Sequence, residues 1–593
     1  MAAEFRFSPR PNRASEIRWR PWSDSAFAEA KDQSKPVLLA ISAVWCHWCH
    51  VMDETSYSVP EIIEKINESY IPVRVDNDQR PDVNRRYNMG GWPTTAFLTP
   101  DGDIIHGGTY IGPQDMWQTV NTVADVWSEK REDIARQVAE FKSKEAEARK
   151  PKPGDLSLEI VDTVGAVIRG QYDPQFGGFG REPKFPQVRL LRFLLDEFRR
   201  HGYPDVAHML HKTLGTMATS GMHDDVEGGF FRYATTRQWQ IPHYEKMLED
   251  NAELLTVYAE AHRTFPEAGY DRVVRDIVRW MDAVLWREDI AAFSGSQDAD
   301  EHYYTLDADG RAKAEPPFVD RAMYTSWNAL AISGYVAAAQ ALDDASVRAR
   351  GLAALRTIAT RMWDEEEGLA HFDRGEGPQL RDLLGDLAAV LTAQLDAYES
   401  GEHPIGIVGA GRVAARIRDR LEDAEHGGFF DAPERAEPGR VATREKPIEE
   451  NAIAGEAFLR LAALTGEDAW RESAVRALRG FVGTYRGWGQ FAAPYADAVA
   501  RALVEPLTVT VVGPSRDATA DALWSVTRAA DDPSRAIRRI APDQDVASLE
   551  RLGFPADRTA AYVCVGTVCS EPLMDEGSLR RELERAKARL ERV

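Results

Sequence analysis

Only four of the 593 residues are cysteine, so no disulfide framework holds this chain and its stability must come from buried cores. Long apolar runs are missing too. None reaches the ~18 residues that a membrane-spanning helix needs. The first twenty residues are charged and carry no apolar stretch of the signal-peptide kind, which leads to the expectation of a cytoplasmic protein with thiols kept reduced between turnovers. Positive charge is not in excess either. With 72 Lys and Arg against 95 Asp and Glu, and a formal charge of −23, the chain lacks the basic clusters that a phosphate backbone requires. No nucleic-acid partner and no membrane partner are expected. What is present, 44% hydrophobic residues and 15 tryptophans, suits a multidomain protein with several cores.

Two of the scarce cysteines stand together in Val44-Trp-Cys46-His-Trp-Cys49-His50. They follow the strand-like run Pro36 to Ser42 and open a helix near His47. A helix N-terminus offers free amide donors and partial positive charge, which favour a thiolate and make Cys46 the nucleophile. Three other readings compete. Cys46-x-x-Cys49-His50 is also the c-type haem attachment pattern, but that needs export to an oxidising compartment. A zinc site would need a second ligand pair at suitable spacing, and none is near. Two inert core cysteines fit poorly with the polar flanks His47 and His50. No metal and no cofactor are therefore assigned. Downstream, Tyr70 to Asp76 alternates as a strand does, and Gly91-Trp92-Pro93 opens another. Pro93 cannot donate a ladder bond, so it belongs at the strand's start. There a cis Trp92–Pro93 peptide facing Cys46 would leave backbone groups free for an extended substrate.

These blocks, with Val75-Asp76, Arg80-Pro-Asp-Val83, Gly107-Gly-Thr-Tyr110, Pro183-Lys-Phe-Pro186, Gly228-Gly-Phe-Phe-Arg-Tyr233, Pro242-His-Tyr-Glu-Lys-Met-Leu248, Gln297-Asp-Ala-Asp300, Trp327-Asn328 and Cys564 to Pro572, cover nearly the whole chain. Over them the sequence resembles the thioredoxin-domain family of spermatogenesis-associated protein 20. The resemblance implies an α/β thioredoxin-like domain followed by a six-hairpin toroid like those of sugar epimerases and glycosidases. The chain departs from the family by a shortened block at Arg13 to Trp19 and by a near-absent segment between Tyr87 and Gly90. Thioredoxin keeps a buried acid before its first cysteine, and the matching position here is Ala40. Proton transfer from Cys49 then falls to His50, Asp76 or water.

The charged stretch 123–150 ends at Pro151-Lys-Pro-Gly154, which places a first boundary near residue 150. Beyond it, helical faces such as Leu191, Leu194, Leu195 and Phe198 alternate with glycine-aromatic turns at 177–180, 228–231, 292–295, 368–370, 427–430 and 487–491. Six helix pairs of that spacing predict an all-α (α/α)6 toroid over 151–503. After each turn stand polar or aromatic residues: Phe185, His243 and Glu245, Trp327 and Asn328, Asp386, Glu450 and Asn451, and Tyr495 with Asp497. If they begin inner helices, they converge on one mouth lined by acids and rings able to stack on sugars. In Trp239 to Asn251, His243 is the natural acid/base residue, with Glu245 beside it and Trp239, Lys246, Asp250 and Asn251 as candidate substrate contacts. A buried structural network of the same residues is the competing reading. Asp298 and Asp300 can act as proton donor and base, or cap turns. Residues 504–593, with apolar runs Leu507 to Gly513 and Ala560 to Gly566 around a helix near 518–529, form a small C-terminal α/β appendage. There Cys564 and Cys569 are expected as buried core cysteines, with an electron-relaying thiol pair as the alternative.

The expected function is thiol–disulfide exchange: Cys46 attacks, Cys49 resolves and Pro93 shapes the binding edge, with a protein or small-molecule disulfide as substrate and a cytosolic thiol as reductant. The alternative is a carbohydrate-active enzyme centred on His243, Glu245 and Asp298, with a sugar-like ligand in the toroid.

Overall fold

A computed structural model describes residues 5–148, 150–401 and 405–590. Its contacts form two compact units. One comprises Met1–Lys150, Ser296–Asp320 and Pro433–Glu445, and the other Pro151–Gly295, Arg321–Ala432 and Lys446–Val593. The first unit therefore extends beyond residue 150 through two returning segments, and 504–593 is grouped with the helical unit.

The first unit is built on strands β1 (Val37–Ser42), β2 (Ile71–Asp76), β3 (Thr94–Leu98) and β4 (Ile104–Gly108), in the order β2-β1-β3-β4. β1 runs parallel to β2 and antiparallel to β3. Helices α1 (Asp24–Asp32), α2 (His47–Glu54), α3 (Pro60–Ser69), α4 (Pro81–Tyr87), α5 (Pro113–Glu129) and α6 (Arg131–Ala148) complete it, with the one-turn helices α12 (Glu301–Tyr304) and α13 (Ala308–Arg311) in the first returning segment. Strand side chains alternate faces, so β1 feeds two cores. Val37, Leu39 and Ile41 pack with Trp22, Phe27, Val83 and Tyr87, while Leu38 and Ala40 pack with Met52, Ile62, Ile66, Met116 and Val120. Burial on both faces explains why β1 reads as an unbroken apolar run. Val441, from the second returning segment, joins the first of these cores. That segment is also held by Arg86, whose guanidinium donates to Thr443 O at 2.8 Å, and by Asp82, which accepts from Arg80 at 2.9 Å and from Arg435.

The second unit contains α7 (Leu158–Gln171), α8 (Val188–His201), α9 (Pro204–Ala218), α10 (Leu248–Thr264), α11 (Tyr270–Trp280), α14 (Thr325–Leu342), α15 (Ala345–Thr357), α16 (Leu384–Glu399), α17 (Ile405–Leu421), α18 (Ile448–Thr465), α19 (Asp468–Arg479) and α20 (Ala493–Leu503). Helix α8 packs on α10, α10 on α14, α14 on α16, α16 on α18, α18 on α20, and α20 again on α8. The ring is closed. Each inner helix pairs with an outer one: α9, α11, α15, α17, α19 and, for α20, α7. Inner helices are enclosed on every side, and α14 shows the composition this demands. Ala329, Ala331, Gly334, Ala338 and Ala339 let neighbouring backbones approach, and a methyl at Gly334 would lie 2.9 Å from Ala252 O.

The C-terminal segment holds strands Leu507–Val512, Arg535–Ile540, Ala560–Val565 and Val568–Cys569 with helices α21 (Ala518–Ala529), α22 (Val546–Leu552) and α23 (Glu576–Leu590). Its first strand is parallel to the second and antiparallel to the third, which is antiparallel to the fourth. This repeats the order and polarity of β2-β1-β3-β4. The Arg535–Ile540 strand is not evident in the sequence because three of its six residues are arginine. Arg538 is buried and donates to Leu464 O at 2.6 Å, capping the end of α18.

Candidate functional site

Cys46 is the N-cap of α2, and its sulfur accepts the backbone N–H of Cys49 at 3.2 Å. The two cysteines are joined as a disulfide. A sulfur aimed at a helix N-terminus is favoured as a thiolate once reduced. The Trp92–Pro93 peptide opening β3 is cis, as expected, and the Trp92 ring meets the Trp45 ring edge-on at 5.9 Å. Trp45 Nε1 donates to Asp78 at 2.6 Å. Trp48, between the cysteines, is exposed and faces the Tyr110 ring at 5.2 Å. This aromatic pair escaped the sequence reading. Its signal was a large apolar residue at an outward position inside the motif.

The base of α2 is tied to β2 by a buried ion pair. Arg74 donates to Asp53 at 2.8 and 3.0 Å, with both side chains almost wholly buried. Burial pushes the neighbouring His50 down to about 4, Asp53 opposing and Arg6 and Arg74 adding to the fall. His50 is therefore neutral at pH 7 and a weak base. Asp76, at the end of β2, moves the other way. Burial, then the charges of Asp78 and Asp320, raise its carboxyl well above the usual range. Of the groups considered for the Cys49 proton, Asp76 has the pKa moving toward neutrality.

Asp298 and Asp300 belong with this unit rather than with the helical ring. Arg6 donates to Asp298 at 3.2 Å, and its guanidinium lies 3.4 Å from the centroid of the Phe318 ring. Asp300 caps α12, accepting from Tyr303 N at 2.9 Å. Both aspartates lie in the segment Ser296–Asp320 that returns to the thioredoxin-like unit, whereas His243 lies in the helical unit.

In the ring, the residues chosen from the sequence do stand at the starts of inner helices, but most are committed to the backbone. Lys246 donates to Asp224 and, at 2.8 Å, to Gly228 O. Lys184 makes the same pair of bonds to Asp173 and Gly177 O at 3.0 and 2.6 Å, and Lys446 to Asp423 and Gly427 O at 2.7 and 2.6 Å. Asn251 accepts from Phe230 N at 2.7 Å and donates to Phe230 O and Met247 O at 3.0 Å. Asn328 and Asn451 bind Phe293 and Phe429 in the same way. The full clasp of aspartate, lysine and asparagine closes the turns at 228–231 and 427–430, while 177–180 has its aspartate and lysine and 292–295 its asparagine. Gly228 (φ +90°) and Gly427 (φ +74°) must stay bare because a methyl would strike the carbonyl of Asp276 or of Arg476. Lys246, Asn251, Asn328 and Asn451, expected as substrate contacts, are buried and bond the backbone of the turns. Trp239 is likewise fully buried, donating to Phe176 O at 3.1 Å. Asp386 is buried between Ser326 N (3.0 Å) and His371 Nδ1 (2.8 Å). Trp327 is buried against Tyr324, ring centroids 4.6 Å apart. Asp497 is held by Arg200 at 2.6 Å.

What stays accessible is smaller. Phe185, Tyr233 and His243 form a three-ring stack with successive centroids 4.5 Å apart, and Phe185 is exposed at its end. His243 Nδ1 lies 3.7 Å from Glu245. Burial works against the Glu245 carboxylate, but His243 and Arg232 outweigh it and hold its pKa below the usual value. Burial lifts the half-exposed Asp250 to about 6 against the pull of Arg232. Glu450 is partly buried nearby in sequence to the Asn451 clasp.

A thioredoxin-like sheet carrying a Cys-x-x-Cys pair, in one chain with a closed ring of six helical hairpins, defines the class. Residues 10–145 match the family model Thioredox_DsbH, described as a protein of unknown function, DUF255. Across its length the chain resembles spermatogenesis-associated protein 20: the Rattus norvegicus protein is 24% identical over 96% of this chain and 89% of its own. The uncharacterized protein B0495.5 of Caenorhabditis elegans is 35% identical over 48% of this chain, which spans 41% of that protein. A D-mannose isomerase structure overlies 58% of this chain and 97% of its own at 12% identity, with a TM-score of 0.47. No helix among the described residues is long and apolar enough to cross a membrane.

Proposed function

We propose that the protein is a cytoplasmic thiol–disulfide oxidoreductase working through Cys46 and Cys49. The observation that carries this reading is the Cys46 sulfur, seated at the α2 N-terminus on the Cys49 amide and bonded to Cys49, in a unit whose β3 opens on a cis proline. Once a cytosolic thiol has reduced the pair, the Cys46 thiolate attacks a substrate disulfide. One substrate sulfur leaves as a thiolate, and a mixed disulfide forms. Cys49 then loses its proton, to Asp76 directly or through water, and attacks Cys46. The second substrate sulfur is released, and two electrons have passed to the substrate. Trp92 and Pro93 shape an edge for an extended polypeptide, and Trp48 with Tyr110 gives it an apolar platform. The helical ring supplies substrate choice.

The test is the state of the Cys46/Cys49 pair across glutathione buffers, read by alkylation and mass spectrometry. A reversible two-electron couple near thioredoxin's, about −270 mV, supports exchange. A pair that never titrates refutes it. A second reading, a carbohydrate-active ring, is favoured by the Phe185–Tyr233–His243 stack, whose outer ring is open to a sugar face beside Glu245 and Asp250. His243→Ala separates the two: disulfide exchange survives under the first reading, and sugar conversion is lost under the second.

A further inference from the structure

We propose that Cys564 and Cys569 form a second dithiol–disulfide centre, opened by attack of a dithiol on the sulfur of Cys569. The proposal stands apart from the chemistry of Cys46, since it rests on a different sheet.

Cys564 and Cys569 are bonded to each other and directly paired across the last two strands. They differ sharply in access. Cys564 is 3% exposed, whereas Cys569 lies exposed on the edge strand. An incoming thiolate can therefore reach one sulfur and not the other, which fixes Cys564 as the leaving group. The rim around Cys569 is apolar and open, with Val568 67% and Met574 55% exposed. The free edge of the strand offers backbone groups to a partner's extended segment.

The hairpin is held by more than its cross-link. Ser570 N donates to Val563 O at 2.8 Å, and Val563 N donates to Ser570 Oγ at 3.2 Å. Ala561 and Leu573 exchange backbone bonds of 2.8 and 2.9 Å, and Gly566 (φ +58°) makes the turn while its N–H binds Pro506 O at 3.1 Å. A bond between residues five apart removes less freedom from the unfolded chain than a long-range cross-link would. After reduction the two thiols remain face to face and can close again without refolding. The sheet repeats the topology of β1 to β4, yet its helix N-cap matching Cys46 is Asp517, which accepts from Ala520 N at 2.9 Å and from Thr559 at 3.1 Å. The thiols of this sheet are at its hairpin instead.

The step balances. A donor thiolate bonds to Cys569 Sγ, the Cys564–Cys569 bond breaks, and the Cys564 thiolate takes a proton. The donor's second thiol gives up its proton and attacks the mixed disulfide, releasing Cys569. The donor ends as a disulfide and the hairpin as a dithiol, with two electrons and two protons moved. A thioredoxin-type protein and this chain's own Cys46/Cys49 pair have the required chemistry.

The test uses the full chain, equilibrated in glutathione buffers and alkylated, with the Cys564 and Cys569 peptides read apart from the Cys46 and Cys49 peptides. The expected result is that both hairpin thiols appear together with a two-electron dependence while far-UV circular dichroism stays constant. Single variants give a second readout: Cys569 in C564S is expected to alkylate at least tenfold faster than Cys564 in C569S. Hairpin reduction at least tenfold slower in C46S/C49S identifies the chain's own pair as donor, and equal rates identify an external thiol. A hairpin that stays oxidised until the protein unfolds, or single variants that alkylate at equal rates, overturns the proposal.

Discussion

Replacing Lys246 by methionine keeps the stem of the side chain and removes the ammonium, which binds Asp224 and Gly228 O between the rings of Trp280 and Phe231. Lysine and aspartate are both almost wholly buried. Taking one partner from a buried ion pair costs about 3 to 5 kcal/mol, because the remaining charge stays in a medium that solvates it poorly. Lys446 makes the same bonds three hairpins round the ring, but its side chain and that of Asp423 are 16% and 17% exposed. Water can take over there, and Lys446→Met should cost about 1 to 2 kcal/mol. At roughly 1.2 °C per kcal/mol for a unit of about 400 residues, calorimetry should show the ring's transition falling by about 4 to 6 °C for the first variant and about 1 to 2 °C for the second. Adding Asp224→Asn to Lys246→Met should recover part of the loss. Equal shifts for the two lysines would refute the burial argument. A Lys246→Met protein of unchanged stability that loses a ligand would return this lysine to the binding site.

The remaining expectations concern charge and acid. His50, near 4 in the folded state against about 6.5 unfolded, contributes stability that is complete above pH 6.5 and is lost as pH falls toward 4, about 3 kcal/mol at most; His50→Asn should flatten that slope in denaturant titrations from pH 4 to 7. Asp250, raised to about 6, works with the opposite sign, so stability falls as pH rises from 4 through 6, and Asp250→Asn should abolish the fall. Arg74→Met should destabilise the thioredoxin-like unit by about 3 to 5 kcal/mol by leaving Asp53 buried without its cation; urea unfolding checks it, and a loss below about 1 kcal/mol would show that water reaches Asp53.

The elements followed closely from local pattern where burial is simple. Six inner helices begin at the positions marked by Phe185, His243, Trp327, Asp386, Glu450 and Tyr495, because a glycine-aromatic turn must precede each one. Side-chain roles were harder to read, since the same lysine and asparagine serve a ligand or a turn equally well in one dimension. Lys246 and Asn251 were resolved only by seeing which carbonyls they meet. The Asp53–Arg74 pair left a trace, a charged residue inside an apolar strand, whereas the Arg6–Asp298 contact joins residues 292 apart and leaves none. The arginines of Arg535–Ile540 hid a strand because their guanidinium groups find carbonyls within the fold.

The two returning segments set a schedule for synthesis. The thioredoxin-like core is incomplete until Val441 and the carbonyl of Thr443 have been made, although α5 and its sheet are finished by residue 129. At about 5 to 20 residues per second, roughly 15 to 60 s separate the appearance of residue 150 from that of residue 445. During that interval the nascent sheet carries an open socket at Val83 and Tyr87. A gene fragment stopping at residue 150 would keep that socket permanently, so the thioredoxin-like body has to be produced from a fragment that reaches at least residue 445.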